Sequence, residues 1–224
     1  ECVHWKRHKM FFELMRLLNQ EYRFISCEIV EAYGKERANS TPLEWIEWQA
    51  NTLAPKILMP ASTTKKFIQD RLHDLRQCMP ASTRDAEVMA QAIQDTADFF
   101  QVSRLAAKLR AIELGFEQAH GTYVYIEGKS IPHFSFGSKI IGKNGSFVVD
   151  SISALRMIIT HPVLDALYAE DKIVFVNNML CINAPKYIQF NDEEQPVMTQ
   201  YALDHVDECC FLFACKKRIK LDYD

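Results

Sequence analysis

The pattern of apolar residues changes near residue 119, and this change restricts the fold class. Before it, apolar residues recur at helical spacing. The opening segment shows this spacing at i, i+3, i+4 and i+7 with Phe11, Leu14, Met15 and Leu18. After it, short runs of β-branched and aromatic residues alternate with turn signals, which is typical of strands. Helices followed by strands predict an α+β protein with a small sheet that carries helices on one face.

Breaks in the pattern predict three sections. Residues 1–79 are a helical section, residues 80–118 a helix-turn-helix-like unit, and residues 119–224 an α+β C-terminal domain. No apolar run approaches the roughly 20 residues that a membrane span needs, so no membrane contact is expected. The net charge of −3 gives no general nucleic-acid footprint.

Several residues favour helix starts. Thr41 as N-cap, with Pro42 in the first turn, predicts a helix that Pro55 kinks or breaks. A further helix is expected from Thr63 to about Cys78, and Ser82 or Thr83 can cap the one that follows, which contains Ala86, Ile93 and Ala97.

Residues 84–115 have the rhythm of a helix-turn-helix, with Ser103 as N-cap after a short turn and Gly115 as the stop. In a DNA-binding interpretation, three cations contact phosphates or bases, namely Arg104, Lys108 and Arg110. The alternative is a packing unit with the same geometry. Acidic neighbours dilute the basic character and favour packing.

Turn signals predict two hairpins in the third section. One turn is at Gly142–Gly145 and the other at Asn177-Asn178. Ser151 is expected to cap a helix, and Cys210–Cys215 to form the last strand.

The seven cysteines include no C-x-x-C pair, and their number is odd. In a chain of this length, these features predict reduced thiols and a cytoplasmic location. The tail offers four potential metal ligands, His205, Cys209, Cys210 and Cys215. Adjacent cysteines are poor partners for one tetrahedral ion, so a core strand is the favoured interpretation.

The first four residues match the end of the zinc motif H-E-x-x-H, in which two histidines share one helical face beside a glutamate general base. Here Glu1 is the base and His4 the second histidine, and the first would stand directly before Glu1. Glu47, Ala50 and Asn51 fit E-x-x-A-[ND], the source of a third ligand in gluzincins. The alternative for a Glu-x-x-His alone is a solvated helix surface.

These two segments together resemble the ImmA/IrrE family of metallo-endopeptidases, which shows H-E-x-x-H and then E-x-E-A-N-x-F-A-x-x-L-L-M-P. The chain keeps Glu47, Ala50, Asn51, Ala54, Leu58, Met59 and Pro60. It departs at Gln49, Leu53 and Ile57. The resemblance covers roughly residues 1–115, including the helix-turn-helix, and is faint beyond them.

The resemblance implies that residues 1–79 are the C-terminal part of a zinc peptidase-like domain. It implies Glu1 as catalytic base, His4 and Glu47 as zinc ligands, and Asn51 as the residue that orients a ligand histidine. Other histidines, such as His8 and His73, are expected to face solvent.

Family substrates are transcriptional repressors, whose cleavage switches on a mobile element or a stress regulon. The expected function is therefore repressor cleavage by a zinc endopeptidase. Because the first histidine of the motif is missing, the chain is expected to be truncated just after it, to bind zinc poorly and to be inactive as given. The alternative function is a non-catalytic regulator that binds DNA or protein on the same scaffold.

Overall fold

A computed structural model describes residues 3–18, 42–137, 141 and 145–214. The helices are α1 (Lys9–Leu18), α2 (Pro42–Leu58), α3 (Ala61–Cys78), α4 (Asp85–Phe100), α5 (Arg104–Glu113), α6 (Ser151–Thr160), α7 (Pro162–Ala169), α8 (Gln200–Asp204) and α9 (Val206–Cys209). The strands are β1 (Val124–Ile126), β2 (Lys129–Ile131), β3 (Gly145–Ser146), β4 (Ile173–Val176), β5 (Met179–Ile182), β6 (Ile188–Phe190), β7 (Pro196–Met198) and β8 (Phe213–Ala214). The predicted α+β class is confirmed.

The chain divides into two compact units, residues 1–63 and residues 64–224. Helices α4 and α5, which form the predicted helix-turn-helix-like unit, belong to the second unit together with all the strands described. The predicted division into three sections remains a prediction.

In the first unit, a π-helical turn at His4–His8 leads directly into α1. Helix α2 begins at Pro42, which suits a first turn because proline lacks an N–H group that the turn would leave unpaired. Pro55 lies inside α2 without ending it, so of the predicted kink or break the break does not occur, and the kink remains a prediction. The predicted Thr41 cap lies outside the described residues.

In the second unit, the turn between α4 and α5 follows the prediction. Gln101 adopts a left-handed conformation with φ of 53°, and its N–H closes the end of α4. The Ser103 hydroxyl accepts a hydrogen bond from the Ala106 N–H at 3.2 Å, which satisfies an unpaired donor at the start of α5. Gly115, with φ of 92°, follows the end of α5, as predicted.

Two other predicted caps are wrong. The N-cap of α4 is Arg84, in an extended conformation without a side-chain cap, rather than Ser82 or Thr83. The N-cap of α6 is Asp150, whose carboxylate accepts from the Ser153 N–H at 2.8 Å.

The described strands form four separate antiparallel pairs rather than one sheet: β1–β2, β3–β8, β4–β5 and β6–β7. The predicted Asn177-Asn178 hairpin is confirmed, because these two residues join β4 to β5 with positive φ angles of 48° and 57°. Glu127 and Gly128 form the equivalent turn between β1 and β2. The predicted turn at 142–145 lies almost wholly outside the described residues.

The main core of the second unit is built by strands and short helices. Its fully or nearly buried members include Ile126, Phe134, Met179, Cys181 and Val206. A smaller cluster packs α3 against α4 through Leu75, Val88 and Ala92. Both clusters lie within residues 64–224 and give this unit its own apolar interior.

None of the helices in the described part of the chain is long and apolar enough to cross a membrane.

Candidate functional sites

Two histidines of the opening helix meet a side chain of α2 in the interior of the first unit. His4 and His8 are 4% and 7% exposed. Their Nδ1 atoms lie 3.3 Å apart, and the Nε2 atom of His8 lies 3.0 Å from the Gln49 carboxamide oxygen. The expectation that His8 faces solvent is therefore wrong, whereas His73 is exposed as expected.

With both rings neutral, one assignment of protons satisfies this chain of contacts. The Gln49 oxygen can only accept, so the Nε2–H group of His8 donates to it. The Nδ1 atom of His8 is then an acceptor, and the Nδ1–H group of His4 donates to it. The lone pair of His4 consequently lies on Nε2, the tautomer that a metal ligand with a hydrogen-bonded partner uses.

The other predicted zinc-site residues are less fully described. Glu47 and Asn51 lie on α2, the helix that also carries Gln49, but their side chains are outside the described part of the structure. Glu1 lies outside it altogether. The structure thus brings His4 together with the E-x-x-A-N helix through His8 and Gln49, two residues that sequence reasoning did not select.

The three predicted DNA-contacting cations have different environments. The Arg104 guanidinium is exposed and lies 4.5 Å from the centre of the Tyr123 ring. Lys108 and Arg110 are buried, and Arg110 donates to a Glu113 carboxylate oxygen at 2.8 Å. Two of the three charges are therefore not presented on the surface of the second unit.

A third group of residues is a thiol cluster in the second unit. The Sγ atoms of Cys181, Cys209 and Cys210 all lie within 4.8 Å of one another. Two of these cysteines are in the predicted tail set. The third, Cys181, was missed because it is distant in sequence. Within residues 210–214, the predicted strand is replaced by a single bridge from Cys210 to Cys181 and the short β8, and Cys215 lies outside the described residues. His205 is not part of the cluster.

Hydrogen bonding within the cluster favours one thiolate. The contact of Cys209 with Cys181, and then that with Cys210, lowers the pKa of Cys209 to about 4. The same contacts, together with burial, raise the pKa values of the other two thiols, that of Cys181 to about 12. Once Cys209 loses its proton, its neighbours are held as S–H donors.

An acidic cleft of about 500 Å³ also lies in the second unit, with Ser135 in its lining. Its carboxylates already have partners. Arg84 Nε donates to Asp204 at 2.7 Å, and the Gly137 N–H donates to Asp207 at 2.9 Å. These charges hold the walls of the cleft together, so it is a weaker candidate than the two clusters.

No protein-family model, curated protein or solved structure matches this chain. The resemblance to ImmA/IrrE proteins therefore rests on the two sequence segments.

Proposed function

We propose that this protein is a zinc-dependent endopeptidase, or part of one, of the ImmA/IrrE kind. The observation that carries the proposal is the buried chain from His4 through His8 to Gln49. It links the H-E-x-x-H segment to the helix that bears Glu47. A solvated surface helix would have no reason to bury two histidines in mutual contact.

Among the described residues, His4 has the chemistry of a zinc ligand. With the protons assigned as above, His4 has a lone pair on Nε2, and a histidine ligand needs such a lone pair. The second hydrogen bond to a ligand histidine is the usual device that orients its ring and raises its basicity, and here His8 supplies it. Glu47 is the further ligand that the motif implies.

When bound, zinc acidifies water and polarises a carbonyl group. In this proposal the Glu1 carboxylate accepts the proton of the attacking water. His8 holds the His4 ring in one orientation, and Gln49 holds the proton on Nε2 of His8. Burial of this chain excludes water that would compete for the same hydrogen bonds.

The proposed substrate is a repressor-like protein, and the proposed location is the cytoplasm, where the described cysteines would remain free thiols. The alternative of a DNA-binding regulator has weaker support, because Lys108 and Arg110 are buried. Its test would be salt-dependent binding of duplex DNA.

The first test is metal content. The chain is produced with histidine directly before Glu1, as the motif requires, and compared with its Glu47→Ala variant by plasma mass spectrometry. One zinc per chain, lost in the variant, would support the site and justify a search for a repressor substrate. Absence of zinc from the chain with the added histidine would reject the peptidase proposal and favour the non-catalytic binding function.

A further inference from the structure

The three-cysteine cluster of the second unit has the arrangement of a ligand set. Cys181 lies on β5, Cys209 ends α9, and Cys210 follows it in an extended conformation with φ of −111° and ψ of 150°. We propose that Cys181, Cys209 and Cys210 form a binding site for a thiophilic cation of low coordination number, and that this cation is Cu(I). This site is independent of the proposed peptidase function.

Adjacent cysteines converge here because the backbone turns between them. On a regular strand, neighbouring side chains point to opposite faces. Cys209 is still helical and Cys210 is extended, and their Sγ atoms lie 3.8 Å apart. The backbone bridge between Cys181 and Cys210 then brings the third sulfur into the group.

The spacing of the three sulfur atoms is compatible with one shared metal ion. Metal–sulfur bonds of about 2.3 Å in a trigonal plane separate the sulfurs by about 4.0 Å. The observed spacing of 3.8 Å for Cys209 and Cys210, with all three within 4.8 Å, needs only small side-chain adjustments. The β4–β5 hairpin and α9 fix the backbone positions of the cysteines, so the side chains can adjust without refolding.

Charge and ligand number point to the class of ion. The cluster lies at the main apolar core, where three thiolates without a cation would be strongly disfavoured. A bound cation would displace the protons of the thiols to solvent and compensate the charge of the thiolates. Among the residues described, no fourth histidine, cysteine or carboxylate joins the group. Soft thiolates suit both Cu(I) and Zn²⁺, and three ligands leave Zn²⁺ short of the four protein ligands of a structural zinc site, which favours Cu(I).

The test is an anaerobic Cu(I) titration of the full chain against a competing Cu(I) chelator, with copper counted by plasma mass spectrometry. Cys181→Ser and Cys209→Ser are compared with the parent. Cys78→Ser is the matched control, since Cys78 is an exposed free thiol outside the cluster. We expect the parent and the Cys78 variant to retain the same copper, and each cluster variant to retain one ion fewer per chain.

Equal copper in the parent and the cluster variants would overturn the site. Tighter retention of zinc than copper through the same cysteines would overturn the choice of Cu(I). If the serine variants do not fold, X-ray absorption of the copper-loaded parent decides. Coordination by three sulfurs, with a Cu(I)-induced rise in melting temperature, supports the proposal, whereas two-sulfur or nitrogen coordination contradicts it.

Discussion

Burial of a cation costs free energy that the rest of the fold must offset, and Lys108 is an example. It is 3% exposed, and burial lowers its pKa to about 8. Among the described residues, no carboxylate forms an ion pair with it. A residue that only the DNA-binding interpretation placed against DNA therefore lies where burial of its charge is unfavourable.

Replacement of Lys108 by methionine should raise the free energy of unfolding at pH 7 by about 1–3 kcal/mol, because it keeps most of the volume and removes the buried charge. Urea denaturation measures this difference. Between pH 8 and 10.5 the unfolded parent binds more protons than the folded parent, so the stability of the parent rises and the advantage of methionine shrinks. Destabilisation at pH 7 would show that the lysine charge is needed.

His120 has a pKa lowered to about 4, first by burial and then by the charge of Lys108. The Glu117 carboxylate, 3.8 Å from Nε2, does not reverse this shift. Because the folded pKa is below the unfolded value, the contribution of His120 to stability is intact above about pH 6.5 and is lost as pH falls towards 4.

The loss should be roughly 1–2 kcal/mol, since part of the ring is solvent-exposed. His120→Gln should flatten the pH dependence of the unfolding free energy in this window. An NMR titration of the ring gives a direct check, and Lys108→Met should move its pKa upwards. A pKa near 6.5 in the parent would contradict the argument.

His8 should act on zinc through His4. In the chain with the added histidine, His8→Ala should weaken zinc affinity about 10–100-fold, because His4 loses the partner that fixes its tautomer. Competition with a zinc chelator measures this affinity. His73→Ala, a change at an exposed histidine of the second unit, is the control and should leave it unchanged. An equal effect of both variants would remove His8 from the site.

Sequence reasoning found His4 but missed His8 for a physical reason. His8 lies four residues after His4 and three before Phe11, so helical spacing already places it on their face, but a histidine does not by itself mark a buried face. The partner of His8 is Gln49, forty-one positions away, and no local rule connects them.

At the scale of elements, caps were predicted where one residue dominates and misplaced where several compete. Ser103 stands alone before α5 and was placed correctly. Before α6, Asp150 and Ser151 can both cap, and the backbone conformation selects Asp150. The strand β7 was missed because Pro196 begins it, although proline is tolerated in a two-stranded pair.

The cap of α5 gives a test at this scale. Ser103→Ala should lower the free energy of unfolding by about 1 kcal/mol, because the Ala106 N–H loses its acceptor. Ser82→Ala is the matched control, since Ser82 is exposed and caps no described helix, and it should have almost no effect. Thermal or urea unfolding distinguishes the two. Similar losses of unfolding free energy in both variants would mean that Ser82 also stabilises a helix start and that the N-cap of α4 is not Arg84.

At the scale of the whole molecule, the α+β class follows from the sequence, but the pairing of strands does not. Hairpin β4–β5 pairs strands that are neighbours in the sequence, and its turn residues predict it. The pairing of β3 with β8 and of Cys181 with Cys210 joins distant segments. Such contacts depend on tertiary packing, which periodicity does not encode. The thiol cluster could therefore not be assembled from spacing.

The division into two units predicts that residues 64–224 fold alone, because both described core clusters lie within them. This fragment should melt cooperatively with mixed helix and strand circular dichroism. It should keep the proposed three-cysteine copper site and lack the proposed zinc site, whose candidate residues lie in the first unit. A non-cooperative melt would show that the first unit completes the fold. Copper lost from a well-folded fragment would place a necessary ligand within residues 1–63.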